Sequence, residues 1–337
     1  MKKRFNGGNF LFNMMVALFA IFAFSVPAVF AIGGAVAGGT AMSFMEKDLV
    51  KAGLLKEIWT DQIMEGFYPA DNFISEGRDM SSLVEFNKIN LAEAGANPSV
   101  LIDNSSYPIA VSSRTDAPKE LVLKTLDTTS TVVRNVEEME TAYDKMQSVI
   151  YGHKKELQKT AAKLSAWNWA PQSNAAFTPV IAATGALSGG WRKLKFEDVL
   201  GMRKAFDLLD IPDDGRVLVL NPIHESDLIL EDLALYKTVM TTGVLFGFKI
   251  YRTSVTPVYV ATTGVKVAYG AAPAPSTDAI SSVAFHKDEV MKAIGTIEMF
   301  AKFKDPDNKG DVINFQMRFC ALPLRAKAIG AIYSPKA

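Results

Sequence analysis

The chain has 337 residues, and 36 Lys plus Arg balance 36 Asp plus Glu, so its formal net charge is zero. That length supports one large or two modest domains with a sizeable core, and the neutral balance argues against a protein built chiefly to grip nucleic acid. A lone cysteine, Cys320, excludes an internal disulfide and a multi-cysteine metal site, and the three histidines, His153, His224 and His286, are widely spaced.

Residues 1–41 stand apart. Lys2, Lys3 and Arg4 precede an uncharged run from Phe5 to Phe44. It reads as a signal peptide with Val29-Phe30-Ala31 as a cleavage site, as a stretch long enough to span a bilayer, or as an extension upstream of a start at Met42 or Met45. Residues 45–66 form an amphipathic helical pattern through Leu49, Leu54, Leu55, Ile58, Trp59 and Ile63. After a turn-rich stretch at 67–80, short segments of strand composition follow at Leu83–Ile89, Pro108–Ser113, Leu121–Leu126 and Thr129–Val133, separated by turn formers. Few large apolar residues lie here, so an extended hairpin or arm reaching toward a partner is expected rather than a compact domain.

From Asn135 to Leu164 the apolar register Val136, Met139, Tyr143, Met146, Ile150, His153, Leu157, Thr160, Leu164 alternates steps of three and four, one stripe of a long helix. Asn135 suits the N-cap, with Glu138 at the capping-box position. Acidic residues crowd its first turns, and Lys154, Lys155, Lys159 and Lys163 are expected to crowd its last, favouring the helix dipole. Pro171 stops the run after Trp167 and Trp169, and the helix, placed over 136–165, would be about 45 Å long. Pro171–Gly190 reads as a connection or mobile loop. Beyond it the pattern gives a helix at 195–209, a turn at 211–215 and a buried strand at Arg216–Leu220. A helix at Glu225–Tyr236 and strands at 247–253 and 255–261 follow, then a Pro/Ala linker at 271–277. The end reads as a short strand at 283–285, a helix at His286–Ile294 and two final strands within 311–333. Helices alternating with strands imply an α/β or α+β domain.

Candidate chemistry is sparse. His224-Glu225 has no second histidine at zinc-protease spacing, and reads as a helix N-terminus. Asp305–Asp311 has a calcium-loop outline, but Lys309 takes a ligand position and Gln316 stands where the bidentate Glu belongs, so a plain turn is expected. Gly185–Gly190 lacks the GK[ST] ending of a phosphate loop. Asn104-Ser105-Ser106 is a glycosylation sequon only in an exported chain. His153 falls on the apolar stripe and Cys320 within a strand, both expected as buried structural residues; Arg318 and Arg325 are expected as partnered charges. Met139 and Met146 belong to the stripe. No set of residues supplies a nucleophile with a base, a metal shell or a phosphate cradle, so no catalytic, cofactor-binding or metal-binding residue is assigned and an enzyme is not expected.

The order of parts is informative: a helical arm, a long extended β segment, a spine helix, an α/β domain and closing strands. It resembles the major capsid proteins of tailed bacteriophages, with the Hong Kong 97-type fold, over about residues 45–337. The passage LDTTSTVVRNVEEMETAYDKMQSVIYGHKKEL is similar to that family's extended-loop return and spine. LDIPDDGRVLVLNPIHESDLILED and GFKIYRTSVTP resemble its axial-domain pattern, and GDVINFQMRFCALPLRAKAIGAIYSP its closing peripheral strands. The resemblance implies an α+β fold. Its parts would be a hydrophobic extension at 1–41, an N-terminal arm at 42–80 and an extended E-loop at 81–134. A peripheral domain would take 135–190 and 301–337, with the spine at 136–165, and an axial domain 191–300. It implies a structural, non-catalytic coat protein without cofactors. Copies would form hexamers and pentamers of an icosahedral shell around double-stranded DNA, held by weak non-specific contact. Assembly would take place in the host cytoplasm with scaffolding and portal proteins and without stable membrane contact. The first forty residues depart from the pattern, which favours a functional start at Met42 or Met45 or removal of the segment. They also keep open an exported or membrane-anchored α/β binding protein.

Overall fold

The structure, a computed structural model, describes residues 72–85, 87–93, 102–103, 105, 117–134, 145–272, 274 and 276–336, all within the unit Gly66–Ala337. The hydrophobic segment at 1–41, the helix at 45–66, the strand at Pro108–Ser113 and the Asn135 cap lie outside the described residues.

In chain order the strands are β1 (Arg78–Asp79), β2 (Lys88–Glu93), β3 (Ala117–Val122), β4 (Lys124–Asp127), β5 (Thr131–Arg134), β6 (Val180–Ala182), β7 (Leu187–Ser188) and β8 (Trp191–Arg192). They continue with β9 (Arg216–Leu220), β10 (Val244–Leu245), β11 (Phe248–Arg252), β12 (Val258–Val260), β13 (Asp278–His286), β14 (Val290–Asp305), β15 (Gly310–Pro323) and β16 (Ile329–Tyr333). The helices are α1 (Lys145–Trp169), α2 (Phe196–Leu208), α3 (Pro222–Glu231) and α4 (Leu233–Thr242).

Two sheets organise them. The first runs β1-β14-β15-β4, with β5 also on β15; the second runs β10-β11-β9-β13-β16-β6, with β12 on β13. In the second sheet β9 pairs with β11 in parallel and with β13 antiparallel. β2 and β3 pair only with each other among the described residues. β14 is one continuous strand through residues 300 and 301, and β16 belongs to the second sheet.

In the described part of the spine helix Ile150, His153, Leu157 and Leu164 of the expected stripe are buried and Thr160 is half-buried, with Ala161 beside it buried, and the helix packs on β15. Its end passes the expected bound at 165 and stops before Pro171, as expected. It runs through Trp167 to Trp169, so no basic residue lies in its last turn. The terminal carbonyls are capped instead by Lys266, whose buried Nζ donates to Trp167 O (2.7 Å) and Ala170 O (2.6 Å).

Other segments differ for identifiable reasons. Pro171–Gly190 is not a loop throughout: Val180–Ala182 pairs with β16, and Gly189-Gly190, at φ 61° and 87°, turns the β7–β8 hairpin. The helix expected at Glu225–Tyr236 is two helices. Asp232 breaks it in an extended conformation and caps α4, accepting from the amides of Ala234 and Leu235. His286–Ile294 is a short 3₁₀ turn at Lys287–Glu289 leading into β14, because Val290–Ala293 are all buried and pair with β15; sheet pairing overrides local propensity. Leu83–Ile89 becomes a strand only from Lys88, after a 3₁₀ turn at Ser81–Leu83. Leu121–Leu126 divides at Leu123 into β3 and β4.

The larger core lies where α2–α4 cover the second sheet, around Val199, Met202, Phe206, Leu218, Leu220, Leu228, Tyr236 and Phe248. α2 approaches β16 so closely that a Cβ on Gly330 would sit 2.7 Å from Met202 Sδ. A smaller core under the first sheet joins Met80, Ile89, Leu121, Leu123, Met291, Ala293 and Cys320, which anchors the base of the β2–β3 hairpin.

Trp169 joins the parts. It is fully buried, its ring centroid lies 5.8 Å from Phe73 and 4.9 Å from Phe285, and its Nε1 donates to Met291 O at 3.3 Å. One side chain thus touches the segment entering at Phe73, the second sheet through β13 and the first through β14.

Candidate functional site

The residues singled out from the sequence do not converge. His224, on the first turn of α3, is fully buried between Ser282 Oγ (2.7 Å) and Ser334 Oγ (2.8 Å). Burial pushes its pKa down to about 4, so it is a neutral tie between helix and sheet, closed to solvent. Glu225 beside it accepts from Tyr236 OH (2.6 Å) and pairs with Arg252 Nε (2.5 Å). His286 is bonded to Asp214 O at 2.8 Å and caps the following turn. Asp305–Asp311 is the turn of the β14–β15 hairpin. The Asp305 carboxylate is taken up by Lys302 Nζ and Asn308 Nδ2, both at 2.6 Å, and the Lys302 hydrogen bond leads in holding it below the usual carboxylate range. Cys320 is buried in β15, its thiol pushed up to about 11 by burial. Arg325 makes a two-pronged contact to Glu289, at 2.9 and 2.6 Å. Gly185–Gly190 spans a hairpin whose Gly185 backbone lies against Lys193 O. Met139 and Asn104 fall outside the described residues, as does the side chain of Met146.

Three surface features have the makings of contact regions. The first is the helical layer over the second sheet. Leu200, Leu208, Ile223, Leu230, Leu233, Leu235, Met240 and Val244 are all more than a third exposed, Leu208 at 76% and Leu230 at 73%. Single exposed leucines are ordinary; here they are concentrated on α2–α4 and the following strand. The second is the β2–β3 hairpin, which leaves Val122 54% exposed. The third is a groove of about 790 Å³ between α1 and the β4–β5 turn, lined by Thr125, Thr128, Thr129, Thr131, Thr160, Leu157 and His153. The His153 ring lies 5.3 Å from Phe315 at a tilt of 56°, its Nε2 has no described partner, and burial pushes its pKa down.

The segment at 72–80 is clamped onto both sheets. Glu76 accepts from Lys249 Nζ (2.7 Å) and Tyr251 OH (2.5 Å), and the buried Lys292 donates to Ile74 O and Ser75 O. Burial raises the Glu76 carboxyl, but the hydrogen bonds from Lys249 and Tyr251 outweigh it and hold the pKa below the ordinary value. Reading the sequence missed this clamp, the Trp169 junction and the Lys266 cap. The W-x-W at Trp167–Trp169 before Pro171 was the available signal for the last two, since paired tryptophans at a helix end demand buried neighbours and hydrogen-bond acceptors.

No protein-family model matches the chain, and no curated protein does. Solved structures do match. The capsid of Ralstonia phage GP4 aligns with a TM-score of 0.59 at 9% identity, over 78% of this chain and 87% of that one. The capsid of cyanophage P-SCSP1u gives 0.56 at 14% identity, over 77% and 86%. A virus-like particle from Pyrococcus furiosus gives 0.52 at 10% identity, over 82% and 99%. The architecture is therefore the α+β, Hong Kong 97-type fold that the order of segments had suggested.

Proposed function

We propose that this chain, with the Hong Kong 97-type fold, is the major capsid protein of a tailed-phage-type particle. Many copies self-assemble into an icosahedral shell enclosing double-stranded DNA, and the chain catalyses nothing. The observation that carries the reading is the fold match over most of the chain to shell-forming proteins. Two physical features support it. The exposed apolar residues of α2–α4 have no cover among the described residues, and a stable interface hides roughly 800 Å² per partner. The β2–β3 hairpin has no third strand among the described residues, and an isolated hairpin is marginal in water until it packs on something else.

In this proposal residues 42–80 are the N-terminal arm, 81–134 the E-loop, 135–190 with 301–337 the peripheral domain and 191–300 the axial domain. The β14–β15 hairpin makes the peripheral and axial parts continuous. Axial faces close into hexamers and pentamers through heterologous contacts. Scaffolding and portal proteins are further partners, the host cytoplasm is the place of assembly, and the mature subunit resides in the virion.

The test is expression of the full chain and of residues 42–337, followed by sedimentation and negative-stain microscopy. Shells, rings or sheets of subunits are expected from at least one. A monodisperse monomer from both at high concentration would count against the proposal.

A further inference from the structure

The spine helix has an electrostatic character that its fold position does not require. α1 carries Lys145, Lys154, Lys155, Lys159 and Lys163 against a single acidic residue, Glu156, in a chain of zero net charge. The helix dipole does not account for the row, because the helix continues six residues past Lys163 and its C-terminus is capped by Lys266. Lys155, Lys159 and Lys163 are exposed and follow one another at intervals of four, which places them along one face. None of the three pairs with a described carboxylate, nor does the exposed Lys124 on neighbouring β4.

The row is interleaved with aromatic rings. Lys155 Nζ lies 4.9 Å from the Tyr151 centroid. Lys163 and Lys124 each lie 5.8 Å from the Tyr269 ring, so two ammonium groups share one ring without an intervening acid. Like charges gathered this way repel, and an anion between them removes the repulsion.

We propose that this face, made by Lys124, Lys155, Lys159 and Lys163 with Tyr269, is the surface through which the subunit contacts the phosphates of double-stranded DNA; the inference rests on the shell reading above. The dimensions fit. Lys155 to Lys163 spans about 12 Å of helix, and one DNA strand presents a phosphate roughly every 3.4 Å along the axis. Three lysines therefore track about three to four phosphates of one strand. They do so as flexible point charges with no base-reading fork, which gives weak, sequence-independent contact. Such contact lets a shell hold DNA without fixing it.

The experiment measures binding of a 30-base-pair duplex by fluorescence anisotropy over a salt series, using the full chain and variants. Lys159→Gln/Lys163→Gln is expected to reduce the slope of log K against log salt by about two, and adding Lys124→Gln and Lys155→Gln by about four in all, equally for unrelated DNA sequences. The charge-matched control Lys204→Gln/Lys237→Gln, on α2 and α4, is expected to leave the slope unchanged. No measurable DNA binding by the wild type, an equal loss in the control, or tighter binding of poly-glutamate than of DNA would overturn the assignment, the last in favour of an acidic protein segment. Shell formation is scored by microscopy in the same preparations. Shells that form normally from the fourfold variant but bind DNA more weakly support the face, whereas absent wild-type shells count against the shell reading alone.

Discussion

Trp169→Ala is the substitution from which the largest single loss is expected. The side chain is fully buried and touches Phe73, Phe285 and Met291 O. A buried tryptophan removes about 150–250 Å² from water, worth roughly 4–6 kcal/mol at about 25 cal/mol per Å². Measured truncations of core Phe or Trp to Ala cost about 3–5 kcal/mol once partial collapse is included, and the unpartnered Met291 carbonyl adds on the order of 1 kcal/mol. A loss of about 4–6 kcal/mol is a large part of the 5–15 kcal/mol typical of a folded protein. It should lower the melting temperature of the unassembled subunit by on the order of 10 °C. Urea unfolding followed by tryptophan-independent circular dichroism gives the energy directly. Trp169→Phe, which keeps a ring but loses the Nε1 hydrogen bond, should lose less than half as much. A Trp169→Ala subunit within about 1 kcal/mol of wild type would refute the role of this residue as the junction of the Phe73 segment and the two sheets.

Three further outcomes follow from the same geometry. A Cβ on Gly77 would lie 2.7 Å from Trp169 Cη2, so Gly77→Ala should cost about 1–3 kcal/mol by overpacking, read in the same urea series; a neutral effect would mean that the ring moves freely. His224 is neutral in the fold, its pKa lowered to about 4 against about 6.5 in the unfolded chain. The unfolded state therefore binds the extra proton first, and stability present above pH 6.5 is lost as pH falls toward 4, by about 3 kcal/mol. His224→Gln should flatten this part of the pH–stability curve, and an unchanged slope would contradict the assignment. Ile150→Asp places an unpaired charge in the 3%-exposed stripe of α1 and should abolish soluble, assembly-competent protein, while the exposed Lys155→Ala should not; electron microscopy and soluble yield distinguish them.

What was legible in the sequence was periodicity and order. The stripe of Ile150, His153, Leu157 and Leu164 needed only the helical period. Arg216–Leu220 needed only a continuous apolar run, and it is buried at every position. The fold class came from the order of segments rather than from any one of them. What was hidden depends on distant partners. Val290–Ile294 took the form of a helix until β15, some thirty residues away, supplied a strand ladder. Asp232 gave no sign that it would break one helix and cap the next, because a mid-helix Asp becomes a cap only where the chain must turn. Lys266 carries no local signal of its role, and its place over the Trp167 ring at 4.1 Å arises only when the segment after β12 meets the end of α1. The lysine row was visible from the start, but it is a dipole partner only for a helix that ends at 165, and α1 continues to Trp169.

The central claim is that copies of this chain close into a shell. The most direct test is single-particle cryo-electron microscopy of particles purified after expression of the chain, without imposed symmetry in the first reconstruction. Closed particles should emerge with five-fold and six-fold clusters of subunits, α2–α4 buried at contacts between neighbours and the β2–β3 hairpin lying across an adjacent subunit. Particles in which α2–α4 remain solvent-exposed, or a chain that yields no closed particle under any condition that keeps it soluble, would contradict it.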